Sequence, residues 1–305
     1  MIWIPKTLLK GQRLSALPPG IAGDTAFRIF CTPELSQYRA SNHCQLVARA
    51  RFHLRNAHWA RVSTPGAEIQ TYTFAPDTDT SKGTILIVHG WTAEASFMTA
   101  IAEPIRRAGF RVVLFDLPAH GLSGAHSTNL IDCARATAAI AVHVGPVSAI
   151  VAHSFGGMIS LVAAEGHTPM PGKLDIPHFV LIACPNRLSQ VTADYSRHWG
   201  LTLAGQQAFE HRLERLGGRA LGCFTIDRLL PIVGADALVI HDRDDRDVAF
   251  KAAEEIANNV GGAELLPFQG FGHRNILFAP PMMRAIVSYL SRFDRGATMA
   301  IETSE

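Results

Sequence analysis

A chain of 305 residues is long enough to build one large globular domain, or a domain with an insertion, without relying on disulfides. Its 48% apolar and 18% charged residues exclude a disordered chain, and a net charge of +2 is too small to imply nucleic acid. No segment reaches the roughly 20 consecutive apolar residues that a membrane-spanning helix needs.

The charge is uneven, because residues 1–66 hold nine Lys or Arg against two Asp or Glu. Such a region could meet phosphate or an acidic partner, but a solvated face is the simpler reading. The opening MIWIPKTLLKGQRLSALPPG lacks an uninterrupted apolar stretch before a small-residue cleavage site, so it reads as no signal peptide. Cys31, Cys44, Cys133, Cys184 and Cys223 are odd in number, widely spaced and without a C-x-x-C pair. They point to free thiols in a reducing, cytoplasmic setting, not to a disulfide framework or structural zinc.

Pro5, Pro18, Pro19 and Pro33 break the first stretch, and the spaced apolar residues of CQLVARARFHLRNAHWARV, 44–62, suit a helix. Residues 1–66 are expected to pack on the main domain as an extension. Next, Ile69, Thr71 and Thr73 alternate with Gln70, Tyr72 and Phe74 in a run of strand formers. GTILIVHG suits a buried strand and leads to a helix expected from about Ser96 to Ala108; GFRVVLFDLPAHG repeats strand then turn. A helix from Asn129 to Val144 follows, then the strand VSAIVAH and the helix SFGGMISLVAAEG. PHFVLIACP, DALVIHDRDD with VAFKAAEEIANNV, and AELLPFQGFGH with an apolar-periodic tail to Phe293 complete the order. Strands apolar on both faces, alternating with helices, predict an α/β fold with a mostly parallel sheet covered on both sides.

One interval breaks that rhythm. Cys184 to Pro231 holds no convincing strand, while Phe209, Leu213 and Leu216 recur at helical spacing. It exceeds an ordinary connection. The expected organisation is therefore a core at 67–185 and 231–305 with a helical cap at 186–230.

Chemistry concentrates at AIVAHSFGGMISL, 149–161, where a serine stands between a strand and a helix. A nucleophile elbow reads G-x-S-x-G because its serine occupies a strained turn that bulky neighbours would obstruct. Here Ala152 replaces the first glycine and Gly156 keeps the second. Alanine is still small. The competing reading is a serine capping a helix over a phosphate loop, but no dinucleotide or P-loop glycine motif accompanies it.

In VHGW at 88–91, DLPAHGLSG at 116–124, AHSFGG at 152–157, HDRDDRDV at 241–248 and FGHRNIL at 271–277, taken in that order, the chain resembles the α/β-hydrolase superfamily, of the esterase/lipase-like kind. The resemblance runs from about Thr71 to Leu290 and implies a mainly parallel eight-stranded sheet. It also implies a serine nucleophile, Ser154, with His273 as its base. Spacing alone leaves Asp242, Asp244, Asp245 and Asp247 open as the acceptor that holds the imidazole; the resemblance singles out Asp245, giving the order Ser–Asp–His. By the same resemblance, the amides of Trp91 and Phe155 form the oxyanion hole. The Trp91 side chain either walls the acyl pocket or packs the loop. His153 adjoins Ser154 without aiming a ring at it, His89 orients the oxyanion loop, and His120 holds the DLPAHG turn.

These residues imply hydrolysis of a carboxylic ester of a small or medium apolar substrate through an acyl-enzyme, with no metal and no organic cofactor. Haloalkane dehalogenases and epoxide hydrolases resemble this fold but use an aspartate nucleophile, whereas position 154 is serine. Thioester, amide or carbon–carbon bond hydrolysis and acyl transfer use the same groups. A non-enzymatic scaffold of this fold is the alternative of another class, and a complete set of three reactive positions argues against it. The expected partner is a small acyl substrate, selected by the cap; no nucleic-acid motif is present, and a homodimer stays open.

Overall fold

The computed structural model describes residues 14–33 and 41–293. The opening peptide read for a signal sequence lies largely outside the described residues, as does the side chain of Cys44. Helix α1 (Pro19–Phe30) and helix α2 (Ser41–Leu54) precede the sheet. The helix expected over 44–62 stops at Leu54, and His58–Thr64 forms strand β1 instead. Two interactions account for the difference. The Trp59 indole N–H donates to the Leu54 carbonyl (2.7 Å), closing the helix end. Beyond it, β1 pairs antiparallel with β2 (Ala67–Phe74) across a Pro65-Gly66 turn, setting Val62 opposite Ile69. Gly66 has φ +98°, the left-handed position that follows proline in a type II turn. Pairing overrides the local helical pattern, so the sheet begins at residue 58, ahead of the expected boundary at 67.

The remaining strands are β3 (Thr84–Val88), β4 (Arg111–Phe115), β5 (Ala149–His153), β6 (His178–Ile182), β7 (Asp236–Asp242) and β8 (Ala263–Phe268). They complete an eight-stranded sheet in the order β1-β2-β4-β3-β5-β6-β7-β8. β2 runs antiparallel to β4, and β4 through β8 are parallel. Every residue of β3 and β5 is buried, which is why these runs read as uninterrupted apolar sequence.

Helices α4 (Leu130–Val144), α5 (Phe155–Glu165), α8 (Ile226–Val233) and α9 (Lys251–Asn259) cover one face of the sheet. Helices α3 (Thr99–Arg107) and α11 (Pro280–Ser291), with Leu54 of α2, cover the other. The interval 186–230 is helical as expected: α6 (Leu188–His198), α7 (Leu203–Gly217) and a 3-10 turn at Leu221–Cys223 lead into α8. The short helix α10 (Gly272–Asn275) follows β8. Loops after β3, β5, β7 and β8 all leave the carboxyl edge of the parallel strands, where open α/β sheets bind ligands.

Among the described residues no helix is long and apolar enough to cross a membrane.

Helix α4 starts where Asn129 supplies a cap. Its side-chain oxygen accepts from the amides of Ile131 (2.9 Å) and Asp132 (3.0 Å). Asn129→Ala removes both bonds and is expected to lower the unfolding free energy by about 1 kcal/mol, read as a lower urea midpoint at unchanged slope. An unchanged midpoint would contradict the capping role.

Candidate active site

A single residue separates β5 from α5. Ser154 takes φ 54° and ψ −129°, a conformation that L-residues rarely adopt and that costs on the order of 1–3 kcal/mol. The Ser154 amide donates to the Ile182 carbonyl (2.8 Å), which pins the bend to β6. Gly156 lets α5 begin hard against β3: a Cβ there would lie 2.6 Å from the His89 carbonyl oxygen and 2.8 Å from that of Val88. Ala152, in place of the usual glycine, is wholly buried inside β5.

The sharp turn presents the hydroxyl to His273. Nε2 of His273 accepts from Ser154 Oγ at 3.1 Å, and Nδ1 donates to Asp245 Oδ2 at 2.8 Å. Asp245 is fixed in turn, because its Oδ1 accepts the amides of Asp247 and Val248, both at 2.8 Å. Burial alone would raise the Asp245 carboxyl, but hydrogen bonds from His241 and His273 hold it well below the usual carboxylate range. The other aspartates of HDRDDRD do different work. Asp242 accepts the amides of Asp244 and Phe271 (2.9 Å each), Asp244 accepts the Gly270 amide (3.1 Å), and Asp247 lines the cavity described below.

His241 is a residue that sequence reasoning passed over. Wholly buried at the end of β7, it donates from Nε2 to the Val248 carbonyl (2.9 Å), and the same atom lies 3.3 Å from Asp245 Oδ2. Two histidines therefore converge on one carboxylate oxygen. The available signal was its position four residues before Asp245, at the penultimate position of a buried strand.

The loop after β3 meets the elbow closely. A Cβ on Gly90 would stand 2.9 Å from Ser154 Cβ, so the chain carrying Trp91 runs beside the hydroxyl. Phe155 opens α5, and the amides of a helix's first turn have no intrahelical acceptor. His89 holds the loop by donating from Nδ1 to the Gly90 carbonyl (2.8 Å) and accepting the Leu117 amide on Nε2 (3.0 Å). His120 donates to the Pro118 carbonyl (2.9 Å) and accepts the Thr92 amide (3.2 Å), so it holds both the DLPAHG turn and the loop. Burial lowers His89 to about 4 and His120 to about 3, which matches these one-donor, one-acceptor patterns. His153 donates to the backbone carbonyl of His273 (2.9 Å), and burial lowers it to about 3.

A cavity of about 590 Å³ opens onto Ser154 and His273. Trp91, Phe97, Met98, Pro104, Leu277 and Phe278 give it apolar walls, and Arg49, Ala50 and His53 of α2 close another side. The interval 186–230, expected to cover the pocket, contributes none of the described residues that line it. Its packing explains why. Phe30 of α1 stacks on Trp91 (5.7 Å) and meets Tyr195 of α6 (5.0 Å) and Phe209 of α7 (5.4 Å) edge-on. These helices back the Trp91 ring from behind, so that ring both lines the cavity and packs the loop.

Among the described residues no group of three His, Cys, Asp or Glu side chains is placed to hold a metal ion. Cys31, Cys133, Cys184 and Cys223 are free thiols. Burial pushes Cys31 and Cys133 up to about 12, and Cys184, behind Gly157 of the elbow, is driven up as well. Thiols so held stay protonated and are poor competitors for an electrophile.

A family model for the alpha/beta hydrolase fold matches residues 83–222. No curated protein matches the chain. Among solved structures, a membrane phospholipase A described as a bacterial virulence factor is 18% identical at a TM-score of 0.60, over 83% of this chain and 92% of that one. An esterase of Pyrococcus furiosus is 16% identical at 0.59, over 79% and 93%. A Butyrivibrio proteoclasticus protein solved with ferulic acid is 14% identical at 0.57, over 77% and 97%. At such identities the likeness is one of fold.

The depressed carboxyl of Asp245 sets a pH dependence. Its stabilising contribution is fully present above the ordinary aspartate value of 3.8 and is lost as pH falls from there towards its lowered value. Thermal melts should therefore fall more steeply between about pH 4 and pH 2 in the wild type than in Asp245→Asn. Parallel slopes would contradict the assignment.

Proposed function

We propose that this chain, an α/β-hydrolase by fold, is a serine hydrolase that cleaves a carboxylic ester of an apolar acyl substrate through an acyl-enzyme on Ser154. The observation that carries this reading is the hydrogen-bond chain Ser154–His273–Asp245 at the mouth of an apolar cavity. A serine hydroxyl is a weak nucleophile at neutral pH. As Oγ attacks the acyl carbonyl, Nε2 of His273 takes its proton, and the imidazolium gains stability from Asp245, already bonded to Nδ1–H.

Negative charge then develops on the carbonyl oxygen. The amides of Trp91 and Phe155 are the proposed donors, on a loop and a helix start that converge on Ser154. His273 returns its proton to the alkoxide as the ester C–O bond breaks, and the alcohol leaves. Water, deprotonated by His273, attacks the acyl-serine; the second tetrahedral intermediate collapses to release acid and regenerate the hydroxyl. His89, His120 and His153, held neutral by burial, add no positive charge beside the oxyanion loop.

Ser154→Ala is expected to lower ester hydrolysis by more than about a thousandfold with an unchanged far-ultraviolet circular dichroism spectrum. Asp245→Asn should cost at least about a hundredfold, on the order of 3 kcal/mol in transition-state stabilisation, whereas Asp244→Asn costs much less. Single-turnover rates check both. Near-wild-type rates in Asp245→Asn, with the large loss in Asp242→Asn or Asp247→Asn, would overturn the assignment.

A further inference from the structure

We propose that helix α2, ahead of the sheet, is the wall that selects acyl chain length, and that Ala50 is its limiting residue. The inference rests on the serine-hydrolase reading and deepens it by naming the part of the substrate that α2 meets, the hydrocarbon chain of the acyl group.

Arg49, Ala50 and His53 line the cavity that opens onto Ser154. Offsets of one and four place them on one side of a helix. Ala50 is the small apolar member, 9% exposed, and it lines the same cavity as Phe97, Met98, Leu277 and Phe278. A cavity of about 590 Å³ lies within the range that encloses a sizeable organic ligand. An apolar chain leaving the acyl carbonyl enters that space, and each methylene it buries raises kcat/KM by about fourfold.

A selecting wall must be fixed relative to the nucleophile, and α2 is. Arg51, adjacent to Ala50, donates from Nε and Nη2 to the two carboxylate oxygens of Glu94 (2.7 and 2.6 Å). The Glu94 side chain is 3% exposed and also accepts the Ser96 hydroxyl at 2.6 Å. A planar two-point pair of this kind fixes orientation as well as distance. Glu94 stands three residues beyond Trp91, so the clamp joins α2 to the loop that passes Ser154. Leu54, buried in the core, and the Trp59 bond to its carbonyl hold the same end of the helix.

The test uses the full chain and p-nitrophenyl esters from acetate to dodecanoate. Ala50→Leu and Ala50→Phe should lower the octanoate-to-acetate ratio of kcat/KM at least tenfold, with the preferred length shortening stepwise as the side chain grows. A folding defect would lower all esters together and leave the ratio in place. An independent readout in the wild type is an alkyl fluorophosphonate with a diazirine at the chain end: after attachment at Ser154, illumination should crosslink it to the peptide containing residues 49–53. A ratio unmoved in both variants, or crosslinks confined to residues 186–230, would overturn the role of α2. Failure of the wild type to hydrolyse any ester or to take up the phosphonate would instead overturn the serine-hydrolase reading.

Discussion

The bend at Ser154 is the constraint on which the rest depends. A strand and a helix are joined by one residue in a strained conformation, which persists only because its neighbours leave room and hold it. Gly156 lets the helix start against the β3 carbonyls, and Gly90 lets the next loop pass beside the serine. The Ser154 amide is tied to β6. Strain is thus offset by the sheet on both sides, and its result is a hydroxyl presented to His273 at the start of α5.

Electrostatics at the site follow from burial. Three histidines, His89 and His120 in the loops and His153 at the end of β5, are driven neutral by loss of water. His89 and His120 spend both ring nitrogens on backbone groups, and His153 spends Nε2 on the His273 carbonyl. His273 is placed otherwise, with a carboxylate on one nitrogen and the serine hydroxyl on the other. His241, near the end of β7, stands 3.3 Å from the same carboxylate oxygen, and the acid is oriented by two amides of its own loop and by His273. On the proposed reading, this division keeps proton transfer on one imidazole.

Much of this was legible in the sequence because it depends on local order. Buried parallel strands read as apolar runs, Asn129 marks a helix start, and Ser154 lies at the junction of two apolar patterns. Choosing Asp245 among four aspartates needed the family resemblance, since periodicity cannot say which side chain reaches a histidine 28 residues later. β1 was hidden because HWARV fits a helical pattern until its partner strand is known, although Pro65-Gly66 signalled the hairpin. The wall of the cavity was hidden for a different reason. An insertion of unusual length suggested a cap, but aromatic packing among Phe30, Tyr195 and Phe209 draws α6 and α7 behind Trp91, while an ion pair 43 residues apart in sequence brings α2 to the pocket. Neither contact has a local signature.

A nucleophile at Ser154, already hydrogen-bonded to His273 and through it to Asp245, is tested most directly by covalent capture. Intact-mass and peptide analysis of the wild-type protein after exposure to a short-chain fluorophosphonate should find one adduct, on the peptide carrying Ser154. An adduct on Cys223 or another thiol, or a folded protein that takes up none, would contradict the account.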